Sequence, residues 1–480
     1  MMCLGFFVVL FSLVNVLQAA VFSCTNSNIG SLPSNANSTV TVPIGTNCTF
    51  TISTPVGYGV RFQITATPSN NNDNVTLIDP NGTLIPIVNA TNGIRQFSTR
   101  GTTKIQVLGS SGASTFFATY DFFAITGYTQ KSFNTGDVFQ LSLTVNSYYT
   151  ITSVRNDSII ASVAKLSSAA VDSVFQQIFV FDGADIVNSQ FLGRLGDVAD
   201  YSVASTSNKM TIVNFYNTPS TNYFLANDAS TVSQLNKYTV FRMSSEGNIR
   251  GNVRDLSTKG AAYTFICTDC DTFYLGSLTF DSMSTISNIG YIELSGMSPT
   301  HRLPGLLNYP AQTFTDNQLP QIVPVKMFTM YTYMSGIVVG FTTMKSWQDR
   351  WQAPYVGRKG VMVNPALWNP TQSPAFTYTI ADTSNTFTYS LKPSNLSFTS
   401  NSDSLQVSLL SSTGVATTQK TFSSNDVNAN FSGVGYGMKV QLQTGVHANV
   451  RMNFEILEGN STARLMGWTT VIVLLYKLLF

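Results

Sequence analysis

Apolar residues in this 480-residue chain recur at every second position, and no long stretch carries a convincing 3.6-residue period. Thr49-Phe50-Thr51-Ile52, Val60-Arg61-Phe62-Gln63-Ile64, Lys209-Met210-Thr211-Ile212-Val213 and Lys439-Val440-Gln441-Leu442 all alternate. Side chains two apart on a strand share a face, so each segment turns one face to a core and the other to water. Asp79-Pro80-Asn81-Gly82, Asp182-Gly183 and Asn217-Thr218-Pro219 punctuate the pattern as turns. The aromatic run Phe116, Phe117, Tyr120, Phe122 and Phe123 reads as a core strand with its edge. Together these signals predict an all-β chain of tandem antiparallel β-sandwich modules. Hydrophobic residues at 43% suffice for folded cores, and the length allows roughly three or four domains.

A repeat of about 110 residues underlies the strands. Each copy has an apolar strand, at 74–78, 177–181, 290–294 and 404–408. A second strand, led by Lys104, Lys209, Lys326 or Lys439, follows each. The expected division is a signal peptide at 1–20, modules at 21–126, 127–240, 241–346 and 375–459, a Trp/Pro-rich linker at 347–374, and an attachment signal at 460–480.

Both chain ends are apolar. Residues 4–17 are broken only by Ser12 and Asn15, small Ala19 and Ala20 follow, and no side chain is charged before Arg61. That is the pattern of a secretory signal, although its front lacks Lys or Arg. Near the other end, Gly459-Asn460-Ser461-Thr462-Ala463 precedes Arg464 and an apolar tail, 465–480, interrupted by Lys477. At 1.5 Å per residue the tail spans roughly 24 Å, short of the ~30 Å hydrocarbon core. Small residues followed by a short apolar tail read as a GPI-attachment signal with Asn460 as the attachment site; the competing reading is one spanning helix. The expected address is the extracellular face of the plasma membrane. Without Arg464 and Lys477, the 26 basic residues fall to 24, equal to the 24 acidic ones. A balanced chain has no electrostatic footprint for nucleic acid or for an anionic membrane, so contact with the membrane is through the lipid anchor alone.

Asn37, Asn47, Asn74, Asn81, Asn89, Asn156, Asn395 and Asn430 each open an Asn-X-Ser/Thr triplet, and five fall between 37 and 89. They predict a sugar-covered first module. Without Cys3, four cysteines remain and allow three pairings. Sequence proximity favours Cys24 with Cys48 and Cys267 with Cys270. The first would close a loop worth roughly 3–4 kcal/mol on a chain-entropy model. Asp269 and Asp271 oppose a thiolate in the Cys-Thr-Asp-Cys stretch, so a structural disulfide is expected there rather than a redox centre.

Signals for catalysis are weak. His301 and His447 are the two histidines, no G-x-S-x-G elbow exists, and their spacing fits no common zinc site. Gly433-Val434-Gly435-Tyr436-Gly437 has no βαβ unit after it to make a phosphate loop. A carboxylate pair for glycoside chemistry leaves no sequence spacing to test. The expectation is a non-enzyme with no cofactor and no metal.

Residues 177–216 resemble the second half of a CUB domain, through Phe181-Asp182-Gly183, Phe191-Leu192-Gly193-Arg194-Leu195-Gly196 and the strand at 209–215. Asn47-Cys48-Thr49-Phe50-Thr51-Ile52, Pro55 and Gly57-Tyr58 resemble the segment around the second CUB cysteine. Residues 290–344 are a more degenerate match, and 375–457 the weakest. The whole chain resembles the nematode CUB-like cell-surface glycoproteins, a family of signal peptide plus tandem divergent modules. The resemblance implies jelly-roll-like sandwiches, extracellular binding and an association with defence against microbes. Many CUB domains hold calcium. Here Gln176 stands where the family has an early Asp, and 166–175 offer no upstream Glu, so the resemblance implies no calcium site in the second module and leaves the other three open.

Trp347, Trp351 and Trp368 fall in the expected linker among Arg350, Arg358 and Lys359. Pro354, Pro365, Pro370 and Pro374 make that stretch poorly suited to a continuous sheet. Flat aromatic faces beside arginines suit a glycan or protein ligand, and the same rings could instead glue two modules together. Two functions follow: recognition of a microbial or host glycan or protein, or a structural surface coat without a specific ligand.

Overall fold

A computed structural model describes residues 23–24, 29–31, 40–41, 44–88, 90–165, 173–200, 203–255, 257–280, 290–400, 403–443 and 448–459. The Cys24 side chain, Asn37, Asn89, His447, Asn460 and the expected signal and anchor segments lie outside the described residues.

Four all-β units follow one another, and the strand order of the first recurs. Its eight strands are Val40–Thr41, Thr46–Thr54, Tyr58–Thr67, Asn74–Ile78, Leu84–Pro86, Ile94–Ser98, Gly101–Gly109 and Thr115–Ala124. Counted in chain order, one sheet runs first-eighth-third-sixth and the facing sheet second-seventh-fourth-fifth. This is the jelly roll, two antiparallel sheets closed over one core. Alternation supplies that core: Phe50, Ile52, Phe62, Ile64, Ile105, Val107 and Phe116 point inward from both sheets. Phe116 is core as expected, whereas Phe122 is 40% exposed at the strand's far end.

The third unit repeats the order with Asn248–Asp255, Ala261–Cys267, Phe273–Phe280, Tyr291–Gly296, Gly305–Pro310, Gln321–Val323, Met327–Tyr333 and Ser335–Thr342. The fourth does so with Lys359–Val363, Phe376–Ala381, Phe387–Phe398, Ser404–Leu410, Ala416–Phe422, Phe431–Gly435, Gly437–Gln443 and Ala448–Glu458. The second has Val138–Gln140, Ser147–Thr152, Ile159–Lys165, Ile178–Asp182, Gln190–Arg194, Lys209–Asn214 and Tyr223–Asp228. Where its sixth strand would run, the described residues show helix Leu195–Asp200 and one bridge, Ile160 to Ala204. The apolar and lysine-led strands of the sequence repeat are the fourth and seventh strands of each unit, and all four pairs are hydrogen-bonded antiparallel.

A leading strand joins each of the first three units in parallel, against the all-antiparallel expectation. Ile29–Ser31, Thr129–Asn134 and Lys237–Met243 each pair with the second strand of their unit. In the fourth unit helix Ser346–Gln352 packs at that place against Phe376–Ala381. The leading strand of the third unit, which straddles the boundary expected at residue 240, also pairs with the third strand of the second through Ala164–Val240 and Lys165–Phe241. Among the described residues no sixth strand covers that edge, which carries only the Ile160–Ala204 bridge. Pairing there fuses the two units through a single eight-stranded sheet.

The other junctions are packed as cores. Between the first and second units Phe97, Ile125, Phe179, Phe181, Ile186, Val213 and Phe215 form one cluster around a buried Asp79–Arg194 ion pair of 2.7 Å. Between the third and fourth, Trp368 and Val363 join the core of the third unit, while Tyr274 and Ile322 join that of the fourth.

Candidate functional site: the cleft between the third and fourth units

The strand Lys359–Val363 lies inside the segment expected to be a Trp/Pro-rich linker. Pro354 and Pro365 flank it without entering it, so its N–H groups stay free to pair with Ala448–Glu458. On that partner strand Val450, Met452, Phe454 and Ile456 are buried, and Arg451, Asn453 and Glu455 alternate outward. Register then sets three outward rows: Lys359, Glu455 and Ser390; Val361, Asn453 and Lys392; Val363, Arg451 and Asn395. This face forms the floor of an open cleft of about 390 Å³, and Leu307, Asn308, Tyr309, Gln318 and Gln321 of the third unit form its wall.

Buried Gln321 clamps the two units, donating Nε2 to the Val361 carbonyl at 2.7 Å and accepting the Val361 N–H at 3.0 Å. Asn317 Nδ2 donates to the Gly357 carbonyl at 2.6 Å, and the Tyr355 hydroxyl to the Leu319 carbonyl at 2.9 Å. The cleft is therefore preformed. Its charges are Lys359, Lys392 and Arg451 against Glu455 alone. Lys359 and Glu455 pair at 3.1 Å, and among the described residues neither Lys392 nor Arg451 has a carboxylate within ion-pair distance. Arg451 Nε is buried without a hydrogen-bond partner, and desolvation holds its guanidinium below its ordinary pKa.

Two of the three expected tryptophans are core residues rather than a contact surface. Trp351 is 2% exposed and Trp368 is fully buried, so neither offers a face to a ligand, and the expectation of ligand-binding rings is corrected for both. Trp351 meets Phe454 and Tyr378 edge-on within the fourth core, and Trp368 meets Phe328 of the third unit. Half-buried Trp347 fills the space left by the missing side chain of Gly276, with the Arg350 guanidinium 4.5 Å from its ring centroid.

Beside Trp351 sits Arg358, with no exposure at all. Its Nη1 donates to the Ala353 carbonyl, while Nε and Nη2 have no partner. Trp351 at 4.9 Å, Phe454 at 5.6 Å and Tyr355 at 5.8 Å surround it with ring faces. Desolvation pulls its pKa down to about 10. A base whose folded pKa lies below its unfolded one opposes folding at neutral pH, and that opposition fades as pH rises from about 10 towards the unfolded value. Arg358→Met keeps the volume and removes the charge, and it is expected to raise stability by about 1–3 kcal/mol in urea unfolding at pH 7. Arg358→Ala should lower it by leaving a cavity. A destabilised Met variant would show that the ring contacts outweigh desolvation.

The remaining sequence candidates are dispersed. Cys267 and Cys270 form a disulfide. Cys48 is disulfide-bonded to a partner outside the described side chains. Asn47, Asn74, Asn81, Asn156, Asn395 and Asn430 are all exposed, as a glycan acceptor must be. Asn47 and Asn74 both stand opposite Leu108, on the outer face of one sheet. His301 Nε2 lies 3.8 Å from Asp137, at the contact between the second and third units. Asp182 accepts N–H and hydroxyl hydrogens from both Thr206 and Ser207. Burial alone would raise its pKa, but those donors outweigh it and hold the carboxyl below its usual range. Among the described residues no three His, Cys, Asp or Glu side chains group as metal ligands. None of their helices is long and apolar enough to cross a membrane. The cleft is the feature sequence reasoning missed: Lys359, Lys392 and Arg451 lie far apart in the chain, with no shared motif.

The sequence model of the CUB-like domain matches residues 19–126, a stretch that contains the eight strands of the first unit. CUB domains are in general extracellular, non-enzymatic modules that bind proteins or glycans. A search of curated proteins finds no match. Among solved structures, the chain is similar to the CUB1-EGF-CUB2 domains of rat MASP-1, at 9% identity over 45% of this chain and 99% of that one, with a TM-score of 0.15. The same domains of human MASP-1/3 align at 10% identity over 44% and 94%, also with a TM-score of 0.15. The full extracellular region of zebrafish Gpr126/Adgrg6 aligns at 8% over 90% and 52%, with a TM-score of 0.17.

Proposed function

We propose that this chain is an extracellular recognition glycoprotein, held at the outer face of the plasma membrane by a lipid anchor at Asn460 and binding a glycan or protein ligand. The observation that carries the reading is the preformed polar cleft between the third and fourth units, with its excess of cations in an otherwise balanced chain. The CUB-like match over the first unit and the six exposed sequons support an extracellular setting. The wider resemblance to nematode CUB-like cell-surface glycoproteins supports a role in defence against microbes. A sugar-coated spacer is the second reading, favoured by Asn47 and Asn74 sharing one outer face.

The test is binding of the soluble ectodomain, residues 21–459, to glycan arrays and intact microbial surfaces, with and without EDTA. Saturable, EDTA-insensitive binding is expected. Absence of saturable binding, with every sequon occupied, would favour the spacer. Phosphatidylinositol-specific phospholipase C should release the full-length protein from cells, and retention would point to a spanning tail instead.

A further inference from the structure

We propose that the cleft between the third and fourth units binds an acidic oligosaccharide, whose carboxylate or sulfate sits between Arg451 and Lys392. The proposal rests on the recognition reading above and names its site and ligand class.

Charge is the first argument. A guanidinium with a buried, unpartnered Nε lacks the counter-charge that normally accompanies a desolvated cation. Glu455 is engaged by Lys359 and leaves Arg451 and Lys392 unneutralised. Arginine presents a planar fork that matches carboxylate and sulfate oxygens, and Lys392 adds an exposed, mobile charge at the rim.

The second argument separates a sugar from a peptide. The cleft floor is the face of a sheet, and its three strands are paired to one another through backbone hydrogen bonds. An extended peptide gains affinity by adding to an open edge, whereas the two central strands of this floor, Phe387–Phe398 and Ala448–Glu458, are each paired on both sides. Recognition on the floor must therefore come from side chains. Asn308, Gln318 and Asn453 line the cleft, and each amide offers a donor and an acceptor, the pairing that hydroxyl groups require. The volume, about 390 Å³, lies at the small end of ligand pockets and suits a short stretch of a chain.

Asn430 stands at the rim and opens a sequon, so a glycan there could screen the cleft. The experiment therefore uses the soluble ectodomain both as secreted and as Asn430→Gln. Calorimetric titration is made with an oligogalacturonate, a sulfated heparin-derived oligosaccharide, a neutral cello-oligosaccharide of similar length and an oligoglutamate peptide. At least one acidic sugar should bind saturably and weaken as salt rises, and the neutral sugar should not bind. Lys392→Glu and Arg451→Gln should each cut affinity on the order of tenfold. Lys104→Gln, on the outer face of the first unit, should leave it unchanged. Lys392 is exposed, so its substitution tests the site even if Arg451→Gln perturbs folding. Equal binding of the neutral sugar, binding of the peptide alone, or an unchanged Lys392→Glu overturns the proposal. Array binding that persists in the Lys392 variant overturns the site and leaves the recognition reading standing. No saturable binding in any format overturns both.

Discussion

Asp79→Asn should destabilise the first two units by about 3–5 kcal/mol, the cost of leaving one member of a buried ion pair alone. Asp79 and Arg194 come from different units, and both side chains are essentially inaccessible. Arg194 Nε donates to Asp79 Oδ2 at 2.7 Å, Nη2 to the Phe97 carbonyl at 3.0 Å, and Nη1 to the Gln176 carbonyl at 2.7 Å. Its guanidinium lies 4.9 Å from the Phe179 ring centroid, and Ser98 donates its hydroxyl to the other Asp79 oxygen at 2.9 Å. Asparagine preserves the shape and deletes the charge, so Arg194 stays buried with no opposite charge. Adding Arg194→Met should recover much of the loss, because an apolar pair needs no counter-ion. The readout is the urea midpoint of the transition that carries the first two units, since a four-unit chain need not unfold in one step. A loss under about 1 kcal/mol would mean that the junction relaxes and admits water to Arg194.

Trp368→Ala should cost about 3–5 kcal/mol, the range for deleting a large aromatic side chain from a core. The ring is fully buried in the third unit's core although it follows the first strand of the fourth. A side chain on Gly296 would collide with the Trp368 carbonyl, so the two backbones are in direct contact. Collapse to fill the cavity would therefore drag one unit against the other. The loss should appear in urea unfolding and as a changed separation of the last two units in small-angle scattering. Half-buried Trp347→Ala should cost distinctly less. Equal losses would show that Trp368 has no special place at the junction.

The strand pattern made most of the fold readable. Alternation at Val60–Ile64 or Lys439–Leu442 reports which face is buried, and that is all a half-buried antiparallel strand needs to declare itself. The repeat was legible for the same reason, since the fourth and seventh strands lie side by side within the second-seventh-fourth-fifth sheet of each unit. The parallel leading strands were not. Thr129-Gln130-Lys131-Ser132-Phe133-Asn134 is almost wholly polar and gains its place through backbone hydrogen bonds, which leave no mark on composition.

Proline content does not by itself mark a linker, because the spacing of the prolines decides what lies between them. Five consecutive residues, Lys359 to Val363, are free of proline and suffice for an edge strand. Tryptophan identity gave large aromatic area and could not say whether a unit or a ligand covers it. The cleft was invisible for a further reason. Each of its cations is an ordinary outward residue on its own strand, and only the register of three strands collects them.

The sheet shared by the second and third units sets where this chain can be cut. A fragment ending at residue 236 would keep the second unit's strands and lose the leading strand of the third, exposing the unpaired edge of Ile159–Lys165. Such an edge is a template for another copy, so the fragment should associate or precipitate. A fragment extended to residue 243 would cover the edge but carry a strand severed from Ala261–Cys267. The smallest separable piece that keeps the second unit's edge covered therefore contains the third unit as well.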